Sequence, residues 1–129
     1  MDRIVLDASA LLAMTNGEPG GDRVAALLLD PEQTVWISTL NWSEVFDRLL
    51  RNGLSAEAIE RLLGRLGLEV VDFDRPQAKL AAEHRIVAPA LALADRACLA
   101  LTARLNAKAW TTDKAWAHAK VGVPVDILR

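Results

Sequence analysis

Four carboxylates stand where an apolar run gives way to a turn or a helix start. They are Asp7 in Ile4-Val5-Leu6-Asp7-Ala8-Ser9, Glu44 in Asn41-Trp42-Ser43-Glu44-Val45, Asp95 in Leu93-Ala94-Asp95-Arg96 and Asp113 in Trp110-Thr111-Thr112-Asp113-Lys114. If the apolar runs are strands of one parallel sheet, these positions fall along its carboxyl edge, where open α/β folds bind ligands. Carboxylates crowded there repel one another and take up protons unless a cation sits among them. An oxygen-only ligand set suits a hard divalent ion, Mg²⁺ or Mn²⁺. Such a site points to a metal-dependent enzyme, and among those to a nuclease.

The elements needed to position these acids are legible. Short apolar runs alternate with helical patterns, the mark of βα units and a parallel sheet. Strands are predicted over Arg3 to Ala8, Thr34 to Ser38, Glu69 to Val71, Ala107 to Thr111 and, more weakly, Pro124 to Ile127. Gly17-Glu18-Pro19-Gly20-Gly21 reads as a loop, after which Asp22 opens a helix with Val24, Leu27 and Leu28 on one face. Trp42, Val45, Phe46, Leu49 and Leu50 repeat at helical spacing until Asn52-Gly53. Ser55 caps the next helix, with Leu54 and Ile59 spaced as a hydrophobic staple. Arg75-Pro76 starts a helix to about His84, and Leu93 to Leu105 forms a long one after Pro89. No repeat or linker divides residues 1–129, so a single domain is expected.

Composition narrows the class. A hydrophobic content of 52% and a mean hydropathy of +0.17 exclude disorder. The one cysteine, Cys98, cannot form an intrachain disulfide, which suits a reducing compartment. Only three strongly apolar residues precede Asp7, too few for a signal peptide or a membrane span, so a cytoplasmic protein with no membrane partner is expected. The net charge of −2 argues against a nucleic-acid partner, but a metal that cancels the four acids takes it to +2. His84 and His118 are too far apart in sequence to suggest zinc. No nucleophilic serine motif or glycine-rich phosphate loop is present.

Each acid taken alone also has a structural explanation. Asp95 and Asp113 fit helix N-termini, and Asn41-x-x-Glu44 fits a capping pair with Glu44 in the first turn. Asp7 resists that explanation, because it ends a run that reads as a buried central strand. Asp72 and Asp74 also follow a strand, so position alone does not separate them from the other four.

A resemblance does separate them. The segments Ile4 to Leu11, Asn41 to Val45, Leu93 to Leu101 and Thr111 to Trp116 resemble the four motifs of PIN-domain proteins, and more narrowly the VapC-type toxins of bacterial toxin–antitoxin pairs. The likeness runs nearly end to end, in order. It implies an α/β fold, a three-layer α/β/α sandwich around a mainly parallel sheet. It implies metal-binding acids at Asp7, Glu44, Asp95 and Asp113, with supporting hydroxyls at Ser9 and Thr111. It also implies RNA as substrate and a cognate antitoxin as partner. Asp47 is an extra acid without an assigned role.

The resulting expectation is a Mg²⁺- or Mn²⁺-dependent endoribonuclease, with Arg48, Arg51, Arg96 and Lys114 as candidate phosphate contacts. A DNA nuclease or other phosphodiesterase using the same acids is one alternative. A catalytically silent PIN-like binding module, its acids serving as caps, is the other. Trp42 and Trp116 flank motif acids and could stack on a base, although apolar spacing favours a core place for Trp42. The helices Trp42 to Arg51 and Ala56 to Leu66, joined by a short turn, form a candidate groove for an antitoxin segment or for a homodimer.

Overall fold

The structure is a computed structural model and describes residues 2–129. Five short strands form one wholly parallel sheet: β1 (Arg3–Leu6), β2 (Thr34–Ser38), β3 (Leu68–Val71), β4 (Lys108–Thr111) and β5 (Val125–Ile127). Their order is β3-β2-β1-β4-β5, so the chain first winds outward from β1 and later returns to its other side. The winding direction reverses between β1 and β4, and open α/β sheets part to admit ligands at such a reversal.

The connections are helical: α1 (Ala8–Thr15), α2 (Gly21–Leu29), α3 (Thr39–Arg51), α4 (Ala56–Gly64), α5 (Arg75–Val87) and α6 (Leu93–Arg104). Strand side chains alternate between two cores, as a two-residue period requires. Ile4, Leu6, Val35 and Ile37 pack beneath α1 to α4 with Leu11, Val24, Val45 and Ile59. Val5, Trp36 and Ala109 face the other way, against Cys98, Leu99 and Leu101 of α6. The sheet is therefore the middle of three layers, as the family resemblance implies.

Local chemistry explains where elements begin and end. β1 stops at Leu6, two residues short of the expectation, because Asp7 turns out of the strand and caps a helix through Ala10 N. That helix, α1, has no counterpart among the sequence expectations. Gly21 is required where α1 and α2 cross, since a Cβ there would lie 2.2 Å from the Ala13 carbonyl oxygen. Ser38 caps α3 through Leu40 N, so the helix begins at Thr39 rather than near Trp42. Ser55 caps α4 as its sequence suggests. Asp74 caps α5 through Gln77 N, and that helix runs one turn beyond His84. Among the described residues, no helix is long and apolar enough to cross a membrane.

Candidate active site

Asp7 sits at the reversal point, and the hydrogen bonds to its carboxylate come from the first turn of α1 and the end of β4. Its Oδ1 accepts from Ser9 Oγ at 2.7 Å and from Ala10 N at 2.8 Å, and its Oδ2 accepts from Thr111 Oγ1 at 2.6 Å. Ser9 Oγ in turn accepts from Thr112 N, and Thr111 Oγ1 accepts from Asp113 N. The two hydroxyls thus lock the β4 exit loop onto the Asp7 carboxylate. A carboxylate offers about four lone-pair sites, so these three bonds leave one at Oδ2 for an outside ligand.

Burial grades from floor to rim. Asp7 is 3% exposed, Asp95 is half-buried, and Glu44 and Asp113 are exposed. Burial pushes the Asp7 pKa up from 3.8 to about 6, and the Asp95 charge adds to it against the three hydrogen bonds. Burial also raises Glu44, helped by Asp95 and then Asp7. Burial raises Asp95, whose bond from Ala92 N opposes the effect while Asp113 reinforces it. Beneath the site, the buried Cys98 thiol is pushed up by desolvation and by the fields of Asp7, Asp95 and Glu44 together. The acids therefore converge on one region of charge, and the two on the rim reach it from α3 and from the β4 exit loop.

The capping explanation holds for three of the acids. Asp7, Asp95 and Asp113 each accept a helix N-terminal amide, from Ala10, Ala92 and Ala115. Asp95 Oδ1 and Asp113 Oδ2 nonetheless take no protein hydrogen bond among the described residues. Glu44 is different. It lies in the second turn of α3, not the first, so it is no partner in a capping pair with Asn41. Its side chain has no hydrogen bond among the described residues. Asp72 and Asp74 fall at the end of the edge strand β3, where Asp74 is consumed as the cap of α5.

The donor set is oxygen-only and electrostatically strained, which fits a hard cation. Among the described residues, however, no three His, Cys, Asp or Glu side chains form a group that could by itself hold a metal. An ion held here would therefore keep much of its own water, as Mg²⁺ ordinarily does. A hollow of about 520 Å³ lies at the amino ends of β1 and β4, lined by Arg3, Arg23 and Trp110, and none of the four acids lines it. Asp7 is buried outside that hollow, and Glu44 and Asp113 are exposed outside it.

The flanking residues sort differently from their sequence expectations. Trp116 is 1% exposed and belongs to the core, whereas Trp42 is half-buried and pairs with Phe46 at 5.0 Å between ring centroids. Arg96 commits Nε to the Leu91 carbonyl and Nη1 to the Ala81 carbonyl, tying α5 to the start of α6. Arg51 pairs with Asp47 one turn back on exposed surface. Arg48 and Lys114 are exposed. Asn41, which the sequence suggests as a helix cap, instead is 1% exposed and donates from Nδ2 to the Ala94 carbonyl, joining α3 to the residue before Asp95. A buried polar residue one turn before a site acid was the available signal.

A PIN domain family model matches residues 4–122. The chain belongs to the PIN domain family. Its fold is shared with VapBC2 of Rickettsia felis, solved with a DNA fragment from its promoter, at TM-score 0.76 and 13% identity over 98% of this chain and 99% of that one. FitAcB of Neisseria gonorrhoeae matches at TM-score 0.71 and 25% identity over 95% of each chain. VapC20 of Mycobacterium tuberculosis, a Sarcin-Ricin loop cleaving toxin, matches at TM-score 0.71 and 17% identity over 91% of this chain and 95% of that one. No curated protein matches at a significant level. This PIN domain thus has the fold of the VapC toxins.

Proposed function

We propose that the chain acts as one nuclease domain, a Mg²⁺- or Mn²⁺-dependent endoribonuclease serving as the toxin of a toxin–antitoxin pair. The observation that carries this reading is Asp7: a buried carboxylate at the sheet's reversal point, held by three donors and pressed by the charge of Asp95. A bound ion would supply Lewis acidity at the phosphate and lower the pKa of a coordinated water. Asp7 and Asp95 would hold it most directly, with Asp113 contributing from the rim. Ser9 and Thr111 fix the Asp7 carboxylate in one orientation. Glu44, free of protein hydrogen bonds and raised in pKa, helps hold the ion or accepts the proton of the attacking water. Arg48 and Lys114 face solvent beside the rim acids and meet the RNA backbone, while Arg51 and Arg96 contribute less because their groups are already engaged.

The partner reading rests on α3 and α4. They border a groove of about 370 Å³ lined by Trp42, Phe46, Leu50 and Glu60, with Asp47 at its side. An amphipathic antitoxin segment lays its apolar face there. A basic side chain at its end then reaches the acids and competes with the cation. In the absence of antitoxin the same groove supports a homodimer. The reducing, cytoplasmic setting expected from the sequence belongs to the same reading.

A binding-module role is favoured by one specific observation, that three of the acids are also caps. Incubating the purified chain with end-labelled RNA and with DNA of matching sequence, in Mn²⁺ and in EDTA, separates these readings. Cleavage of RNA alone, abolished by EDTA, is expected. Cleavage of DNA supports the phosphodiesterase alternative, and no cleavage at any Mn²⁺ concentration supports the binding module.

A further inference from the structure

We infer that Asn41 is a positioning residue for the acidic site, one that holds the helix carrying Glu44 against the helix end carrying Asp95. The inference rests on the metal-dependent reading above and names a residue outside the acidic set. Glu44 stands on α3 and Asp95 on the first turn of α6, so the relation between the two carboxylates depends on how these helices are held together. Among the described residues, the hydrogen bond from Asn41 Nδ2 to the Ala94 carbonyl, 3.1 Å, is the one hydrogen bond linking α3 to α6. It grips the residue immediately before Asp95, and Asn41 lies one turn before Glu44.

The other half of the amide strengthens the case. Nδ2 must face the Ala94 carbonyl, since the reverse orientation would oppose two oxygens, so Oδ1 is left as an acceptor. It is buried and has no partner among the described residues. An apolar residue of similar size would fill the same space without that penalty, so packing alone does not explain an amide here. Holding the α3 and α6 carboxylates in a fixed relation does explain it, as outer partners of metal ligands do elsewhere.

The test compares wild type, Asn41→Leu and Asn41→Ser. Leucine keeps the volume without the tie, and serine is a smaller change whose hydroxyl does not reach Ala94. Mn²⁺ affinity by calorimetry is read first, at a temperature where each variant is folded by circular dichroism. Both variants are expected to bind Mn²⁺ about 10–100-fold more weakly. On RNA, kcat falls while KM for RNA stays near its wild-type value, a split that a general loss of fold would not produce. Wild-type Mn²⁺ affinity in either folded variant overturns the inference. If the wild type binds Mn²⁺ yet cleaves no RNA, the nuclease reading fails while the affinity comparison still decides Asn41. If the wild type binds no Mn²⁺, both fail.

Discussion

Thr111 donates its hydroxyl to Asp7 Oδ2 across 2.6 Å, with Thr111 fully buried and Asp7 only 3% exposed. The bond spans the switch point between β4 and β1 and favours the ionised carboxylate, the form that binds a cation. Thr111→Val keeps the shape and removes the donor. A hydrogen bond to a charged group contributes about 1.5–3 kcal/mol, so the acid limb of the pH–rate profile is expected to move up by about one to two pH units. An unmoved limb in a folded Thr111→Val protein contradicts that role.

Asp7 makes the metal-free protein pH-sensitive in a defined direction. Its folded pKa of about 6 lies above the ordinary 3.8, so the folded state holds the proton more tightly. Its contribution to stability is therefore fully present below about pH 4 and is lost as pH rises through about 6, leaving a penalty on the order of 3 kcal/mol at pH 7. Glu44 and Asp95 shift in the same sense. With EDTA, Asp7→Asn is expected to melt above wild type at pH 7.5, and the gap is expected to close by pH 4. Added Mg²⁺ or Mn²⁺ stabilises wild type through RT ln(1 + [L]/Kd), and this gain is absent from Asp7→Asn. Scanning calorimetry at the two pH values, with and without ion, checks both halves.

Asp95→Asn separates cap from site. Asparagine caps as well as aspartate, so the bond from Ala92 N survives and the melting temperature holds or rises. Loss of the charge is expected to lower RNA cleavage by on the order of 100-fold or more. Full activity in the purified variant removes Asp95 from the catalytic set.

Much of this was readable from residue types alone, for physical reasons. Strands of a two-sided sheet are continuous apolar runs, so β1 and β2 announced themselves, and Ser55 and Arg75-Pro76 marked helix starts by their chemistry. The α1 helix was missed because Ala8 to Ala13 is apolar on nearly every side, buried between sheet and α2, and leaves no amphipathic period. Glu44 was placed one turn early because Asn41 resembles a cap, while the true cap, Ser38, reads as the last residue of a strand. Trp116, open in the sequence, is buried, while Trp42 packs on the core only at its edge. Helical spacing marks a face, but not whether another element covers it, and part of α3 stands open toward α4. Hydrogen bonds between distant segments, such as Thr111 to Asp7 and Asn41 to Ala94, leave no periodic trace at all.

The groove is testable apart from the chemistry. Leu50 is 45% exposed on α3, so Leu50→Lys is expected to leave melting temperature and cleavage unchanged. A lysine buried in the apolar contact should weaken the antitoxin complex by about 30-fold or more. The same change should shift a homodimer toward monomer in sedimentation. Unchanged antitoxin affinity by calorimetry places the partner elsewhere.

The most direct test of the whole reading needs no knowledge of the RNA. Mn²⁺ is titrated calorimetrically into wild type and Asp7→Asn at pH 7.5, where the Asp7 carboxyl, with its pKa of about 6, is ionised. A saturable binding isotherm for wild type and none for Asp7→Asn is the expected result. Equal isotherms for the two proteins, or no binding by either, would contradict a metal site built on Asp7.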